Sequence, residues 1–314
     1  MTKETRLKVI IAFALVYVIW GSTYLAIHFA IGTIPPFLMV GTRFLIAGAA
    51  LYLFARWRGG AKPTAIQWRN TAIAGGLMLM VGNGLLSWAE LRVPSGLAAL
   101  IVATVSLWMV LLTWLVGGPR PGRYAIVGIV LGLFGVGLLV GPGKGAVDVA
   151  GACAVIVASI GWALGTIFIK RVDRPASTFV MTGMEMLGGG VINILVGLMT
   201  GESAHLHLAA ISRESLLGFI YLIIFGSWVG YSAYTYLVEH VSSPAQLGTY
   251  AYVNPCIALL LGWLIAGETI GLRTVVAMGI IVGAVVLLTI QPASAQRPKA
   301  TASPSASSMA SSTK

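Results

Sequence analysis

WGSTYLAIHFAIGTIPPFLMVGTRFLIAG, residues 20–48, decides how the whole chain is read. It is the end of one apolar helix with a central Trp20, a short break at Pro35 and Pro36, then a second apolar helix. That second helix carries a lone charge, Arg43, about two turns in. The same pattern returns 142 positions further on. At that offset Trp20 meets Trp162, Phe37 meets Phe179, Met39 meets Met181, Gly41 meets Gly183 and Gly48 meets Gly190, while Arg43 lands on an acid, Glu185. Matches among such uncommon residue types mark two copies of one unit.

The likeness continues with small drifts that loop insertions would produce. Val93 and Ser95 match Val241 and Ser243 at an offset of 148, and Gly128 and Gly132 match Gly279 and Gly283 at 151. The copies span 9–141 and 149–290. From Gln291 the composition turns to Ser, Ala, Pro and Thr with almost no apolar bulk, so 291–314 is expected to be a disordered tail.

Of the 314 residues, 58% are apolar and 9% charged, against roughly 25% charged in soluble domains. Apolar runs of about 20 residues recur, each able to cross about 30 Å of hydrocarbon as a helix. The fold class is therefore an all-α membrane protein. Ten spans are predicted near 9–30, 36–56, 70–90, 95–116, 123–141, 149–170, 177–200, 214–238, 244–266 and 272–290. Lys3, Arg6 and Lys8 resemble the start of a signal peptide, but the apolar run after them is too long, and it is read as the first span.

A net charge of +11 invites a nucleic-acid partner, yet the basic residues are arranged by side. The amino-terminal segment, the loops around 56–69, 120–123 and 170–174, and the tail hold 15 of the 20 Lys and Arg. Arg92, Lys144, Arg213 and Arg273 fall on the other side, and Arg43 lies within the membrane. By the positive-inside rule both termini are cytoplasmic. Five spans per copy is an odd number, so the copies must lie in opposite orientations, as an inverted repeat.

Polar residues sit at helical spacing inside these runs. Trp20, Tyr24 and His28 share one face of the first span, and Asn83, Ser87 and Glu90 one of the third. Ser227, Tyr231 and Tyr234 share a face of the eighth, and Tyr250 and Asn254 of the ninth. Without water in the hydrocarbon, such faces point into the bundle. Each lines a wet cavity or bonds a neighbouring helix, and four together favour the cavity. Trp20, Trp108, Trp162 and Trp228 fall near mid-depth, where an indole either packs the core or gives an amphipathic solute a flat wall, a cation–π face and one donor. The cavity candidates are Trp20, Tyr24, Asn83, Ser87, Trp108, Trp162, Tyr231, Tyr250 and Asn254.

Arg43 and Glu185 cost about 2.5–3.5 kcal/mol each at mid-bilayer on insertion scales, so each should face protein or water. They are gating or coupling candidates, with Glu185 a proton carrier; the alternative is that each ties its helix to a neighbour. Pro255, inside the ninth span, is a hinge or contact candidate because it removes one backbone bond. Gly128/Gly132 and Gly279/Gly283 predict close packing of spans five and ten, against another helix or against a second copy in a homodimer. Cys153 and Cys256 fit no disulfide or zinc pattern and are expected as buried small side chains. GPGKG at 141–145 lacks the spacing of a phosphate loop. Glu202, His205 and His207 are expected in a solvated outer loop rather than on a metal. No cofactor is expected, and no nucleophile–base spacing argues for catalysis.

The stretches IWGSTYLAI, PPFLMVGTRFLIAG, VPSGLAALIVATVSLWMVLL and LGWLIAGETIG resemble the EamA type of the drug/metabolite transporter superfamily, most of all its YedA-like exporters. The resemblance covers residues 9–290. It implies ten helices in two inverted five-helix repeats, a central cavity lined by helices 1, 3, 4, 6, 8 and 9, and export of small metabolites from the bacterial cytoplasm. Ser106 stands where the family leads one to expect a proline, so the fourth helix is expected to lack a kink. Asn254 stands where many relatives carry an acid. The expected protein is an inner-membrane exporter of small organic solutes working by alternating access, with the bilayer and a small molecule as its partners. The alternatives are an intramembrane enzyme on a lipid-linked substrate and a non-transporting assembly subunit.

Overall fold

The computed structural model describes residues 3–118, 120–140, 148–241 and 249–289. The expectations for GPGKG, Lys144, Ser243 and the tail fall outside these residues. Every regular element among the described residues is helical. The long ones are α1 (Lys3–Ala30), α2 (Pro36–Trp57), α3 (Ala65–Ala89), α4 (Ser95–Leu115), α5 (Arg123–Val140), α6 (Val149–Ile169) and α7 (Thr178–Met199). Then come α8, running on through Arg213–Tyr221, Leu222–Val229 and Gly230–His240, α9 (Tyr250–Ala266) and α10 (Leu272–Thr289). Among the described residues, eight helices, in α1 to α8, are long and apolar enough to cross a membrane, and α9 and α10 contribute shorter apolar stretches, Tyr250–Ala266 and Leu272–Leu287.

The helix starts follow local chemistry. Pro36 opens α2 where its missing N–H costs nothing. Thr64 and Gln67 form a reciprocal capping box at α3. Asp148, Ser177 and Ser212 cap α6, α7 and α8 through their side-chain oxygens. Gly267, at φ 67°, ends α9 in the left-handed region that favours glycine.

Three local expectations change. The first helix starts at Lys3 rather than residue 9, because Glu4 and Lys8, one turn apart and 2.6 Å from each other, support an extra turn. Helix α4 is broken at Ala103 and Thr104 without a proline; the Thr104 hydroxyl bonds the Ile101 carbonyl at 2.6 Å there. Cys153 and Cys256 are exposed on the outside of the bundle. The inward face of α6 is taken by Gly151, Ala154, Ala158 and Gly161, which leaves Cys153 on the opposite side.

Glycines fix how the helices meet. A Cβ built on Gly48 would stand 2.7 Å from Met186 Cβ, one on Gly41 2.8 Å from Ile194 Cγ1, one on Gly183 2.9 Å from Tyr52 Cβ, and one on Gly197 2.9 Å from Leu38 Cδ2. Residue numbers rise along α2 as they fall along α7, so the two pack antiparallel with their backbones close. α5 and α10 also pack together. α1 lies against α8 and α9, and α6 lies against α3 and α4. Gly132 faces Leu107 of α4, whereas Gly279 and Gly283 face open space. The close approach expected of these glycines is therefore seen within the chain at Gly132 and not at Gly279 or Gly283.

Candidate functional site

Polar groups on α3 and α8 are displaced from the regular helical register, and this shapes the centre of the molecule. Both helices contain a π-helical stretch, Gly76–Gly84 in α3 and Leu222–Val229 in α8. A π turn carries its hydrogen bonds five residues back, and the side chains do the same. Ser227 Oγ donates to the Leu222 carbonyl at 3.1 Å, and Asn83 Nδ2 to the Met78 carbonyl at 3.5 Å. Asn83 lines the central cavity, while Ser87 is wholly buried away from it, its hydroxyl unpartnered.

That cavity holds about 130 Å³ between α1, α2, α3, α4, α6, α8 and α9. On one side Trp20 packs against Tyr231, Tyr234 and Tyr250, with ring centroids 5.5, 5.2 and 5.3 Å away. Tyr24 and Thr23 continue that wall. Opposite stand Trp162 and Ser159 of α6, close to Gly82, where a Cβ would lie 3.2 Å from the indole ring. The break in α4 sets Val102 and Val105 on the wall. Asn254 lines it too, its amide oriented to donate to the Tyr17 and Tyr250 carbonyls at 3.2 Å each.

Arg43 brings the cavity its charge. It is 4% exposed, its Nε donates to Ser227 Oγ at 3.2 Å, and its guanidinium lies 4.6 Å from the Phe44 ring centre. Nη1 has no partner. Arg43 and Glu185 form no ion pair. Glu185 is 7% exposed on α7, off the cavity wall, with Oε1 unpartnered.

The other candidates lie elsewhere. Trp108 is partly buried on α4 with its indole N–H unpartnered, and it is off the wall. Pro255 sits behind Asn254, where α9 meets α1; a Cβ on Gly21 would stand 2.8 Å from Ile257 and 3.2 Å from the Asn254 carbonyl. Trp228 donates to the Ala47 carbonyl at 3.1 Å, tying α8 to α2.

Two acids do something the sequence did not announce. Glu202, expected in a solvated loop, accepts from the backbone N–H groups of Phe37 and Leu38 at 3.2 and 2.9 Å. Glu268 accepts from Ser95 N, Ser95 Oγ and Gly96 N at 2.7, 2.7 and 3.0 Å. Each carboxylate lies just beyond a helix in the second half of the chain and caps the start of a helix in the first half, where free N–H groups favour an anion. The visible cue for Glu268 is the Gly267 stop directly before it.

The EamA-like transporter family matches residues 7–141 and 149–290. The chain belongs to this family. An uncharacterised inner-membrane transporter of Escherichia coli strain K12, YedA, is 41% identical over 279 residues, covering 87% of this chain and 88% of YedA. Protein PecM of Dickeya dadantii is 27% identical over 272 residues, 86% of this chain and 88% of PecM. A probable amino-acid metabolite efflux pump of Escherichia coli K12 is 27% identical over 237 residues, 69% and 73% of the two chains. One solved crystal structure superposes with a TM-score of 0.61 at 21% identity, covering 90% of this chain and 97% of that one, and so shares the fold. For an EamA-like transporter, the arrangement offers binding rather than bond-making: a small hollow with an aromatic side, a few amides and hydroxyls, and one guanidinium.

Proposed function

We propose that this EamA-like transporter is an inner-membrane secondary carrier that exports a small amphipathic solute by alternating access. The observation that carries the reading is the hollow where helices of both copies meet, with Trp20, Tyr231 and Tyr250 on one side and Trp162 on the other. Its volume is close to that of an engineered void of about 150 Å³ that accepts benzene. The solute is accordingly of single-ring size, and Arg43, with an unpartnered donor, selects one bearing an acidic group. An amino acid or its metabolite meets both demands, in line with the probable amino-acid metabolite efflux pump among its relatives.

On this reading α1 to α10 are ten spans with both termini in the cytoplasm, and the two copies are inverted repeats. Antiparallel packing of α2 on α7 supports this, as does the matching arrangement of α1 on α8 and α9 with α6 on α3 and α4. The paired π stretches in α3 and α8 support it further. The carrier's partners are its solute and the bilayer. A second copy would seat closely along Gly279 and Gly283, which leave room on the outer face of α10.

Comparing metabolites in the medium of cells with and without the protein identifies the solute, and efflux from proteoliposomes with and without a pH gradient measures its movement. A solute enriched outside expressing cells, and moved by the purified protein, is expected. Unchanged media and silent proteoliposomes would leave the assembly-subunit alternative standing.

A further inference from the structure

Glu90, in the turn directly after α3, is 5% exposed, and neither carboxylate oxygen has a hydrogen-bond partner. Arg92 does not offset it, laying its guanidinium over the Trp88 ring at 4.2 Å. The charged group whose field reaches Glu90 is a second acid, Glu268, which holds the start of α4. On the α1 side Glu90 acts on Tyr24, with His28 one turn further along that face. Asp148, at the start of α6, lies near Arg92 and is engaged as a helix cap. Glu202 and His205 line a surface groove beyond Trp88.

An ionised carboxylate in this place would have lost its water, gained no donor and met a like charge. Removing one carboxylate from water without compensation costs several kcal/mol. We propose that Glu90 is a proton-binding site whose occupancy holds this end of the molecule closed. The same groove gathers the start of α2 and the ends of α3 and α7, so the Glu202 cap, the Glu268 cap and Glu90 all belong to one end. With its proton, Glu90 is neutral and packs dry beside Glu268. Without it, the negative charge needs water and repels the Glu268 carboxylate, so the clamp on Ser95 and Gly96 loosens and the end opens. Each closure takes one proton from the water on that side, and each opening returns it. This deepens the carrier reading by giving alternating access a proton-linked step, and rests on that reading for its use.

The test needs no solute. The full chain, with Cys153 and Cys256 replaced by Ala and spin labels at Leu91→Cys and Ile270→Cys, is placed in lipid nanodiscs and its inter-label distances are measured across pH. The expected result is a short distance at low pH giving way to a longer one as pH rises. Glu90→Gln should stay short throughout, and Glu185→Gln should follow the parent protein. Infrared spectra should contain a deuterium-sensitive band of a protonated, weakly bonded carboxyl that is lost in Glu90→Gln. A Glu90→Gln protein that opens with pH like its parent, or keeps the full band, overturns the proposal. If that variant does not fold, Glu268→Gln decides. Removing the like charge and the clamp must move opening to lower pH by about one unit, and no shift or a shift upward overturns it. Solute flux plays no part in these measurements, so their failure leaves the carrier reading intact, and failed flux leaves the proton site intact.

Discussion

Arg43 shows how a single residue can be read for function. Its Nε is bonded to Ser227, while Nη1 is buried without an acceptor. A buried donor left unsatisfied costs about 1–3 kcal/mol, a cost that a bound anion would offset. Replacing Arg43 by Gln is therefore expected to lower efflux in proteoliposomes by about 10- to 100-fold, the loss of one hydrogen bond to a charged group. The melting temperature of the purified protein should fall little or rise, because the variant also removes the unmatched donor. A large drop in melting temperature with proportionate loss of flux would make Arg43 a structural tie instead. The sequence exposed Arg43 because charge in an apolar run is rare. It could not expose the Ser227 contact, which joins residues 184 apart in the chain.

At the scale of elements, the α2–α7 contact relies on missing side chains. Gly48 leaves no room for a Cβ against Met186 and the Gly183 carbonyl, whereas Gly279 has nothing within 4 Å. Gly48→Val is expected to destabilise the protein by about 1–3 kcal/mol through overpacking. Gly279→Val should lie within about 0.5 kcal/mol of the parent in dilute detergent, as surface changes do. Equilibrium unfolding in detergent compares the two, and equal effects would sink this account of the contact. The boundaries of most helices were legible because proline and capping side chains act locally, as at Pro36, Thr64 and Ser177. The π stretches were not. Nothing in GLMLMVGNG distinguishes a π turn from an α turn until tertiary neighbours decide.

For the whole molecule, orientation is the quantity open to direct test. Lys62 and Ser203 are both exposed, in the loops after α2 and α7. In a background where Cys153 and Cys256 are Ala, Ser203→Cys should react with a membrane-impermeant maleimide on intact cells, and Lys62→Cys only after lysis. Labelling from the same side would break the inverted arrangement. Hydropathy and residue spacing, which are local, were enough to show that the chain lives in a membrane, roughly where its long helices run, and which rare polar residues needed an explanation. Polar spacing and depth also marked Trp20, Tyr24, Asn83, Trp162, Tyr231, Tyr250 and Asn254 as cavity candidates, and these line one hollow. Only tertiary packing decided that Trp108, Ser87 and Glu185 stand off that hollow, that both cysteines face out, and that Glu202 and Glu268 clamp distant helices. The physical reason is that lipid tails are as apolar as a packed core. Hydrophobicity therefore cannot say how a membrane helix is rotated; close packing against partners far along the chain sets that angle.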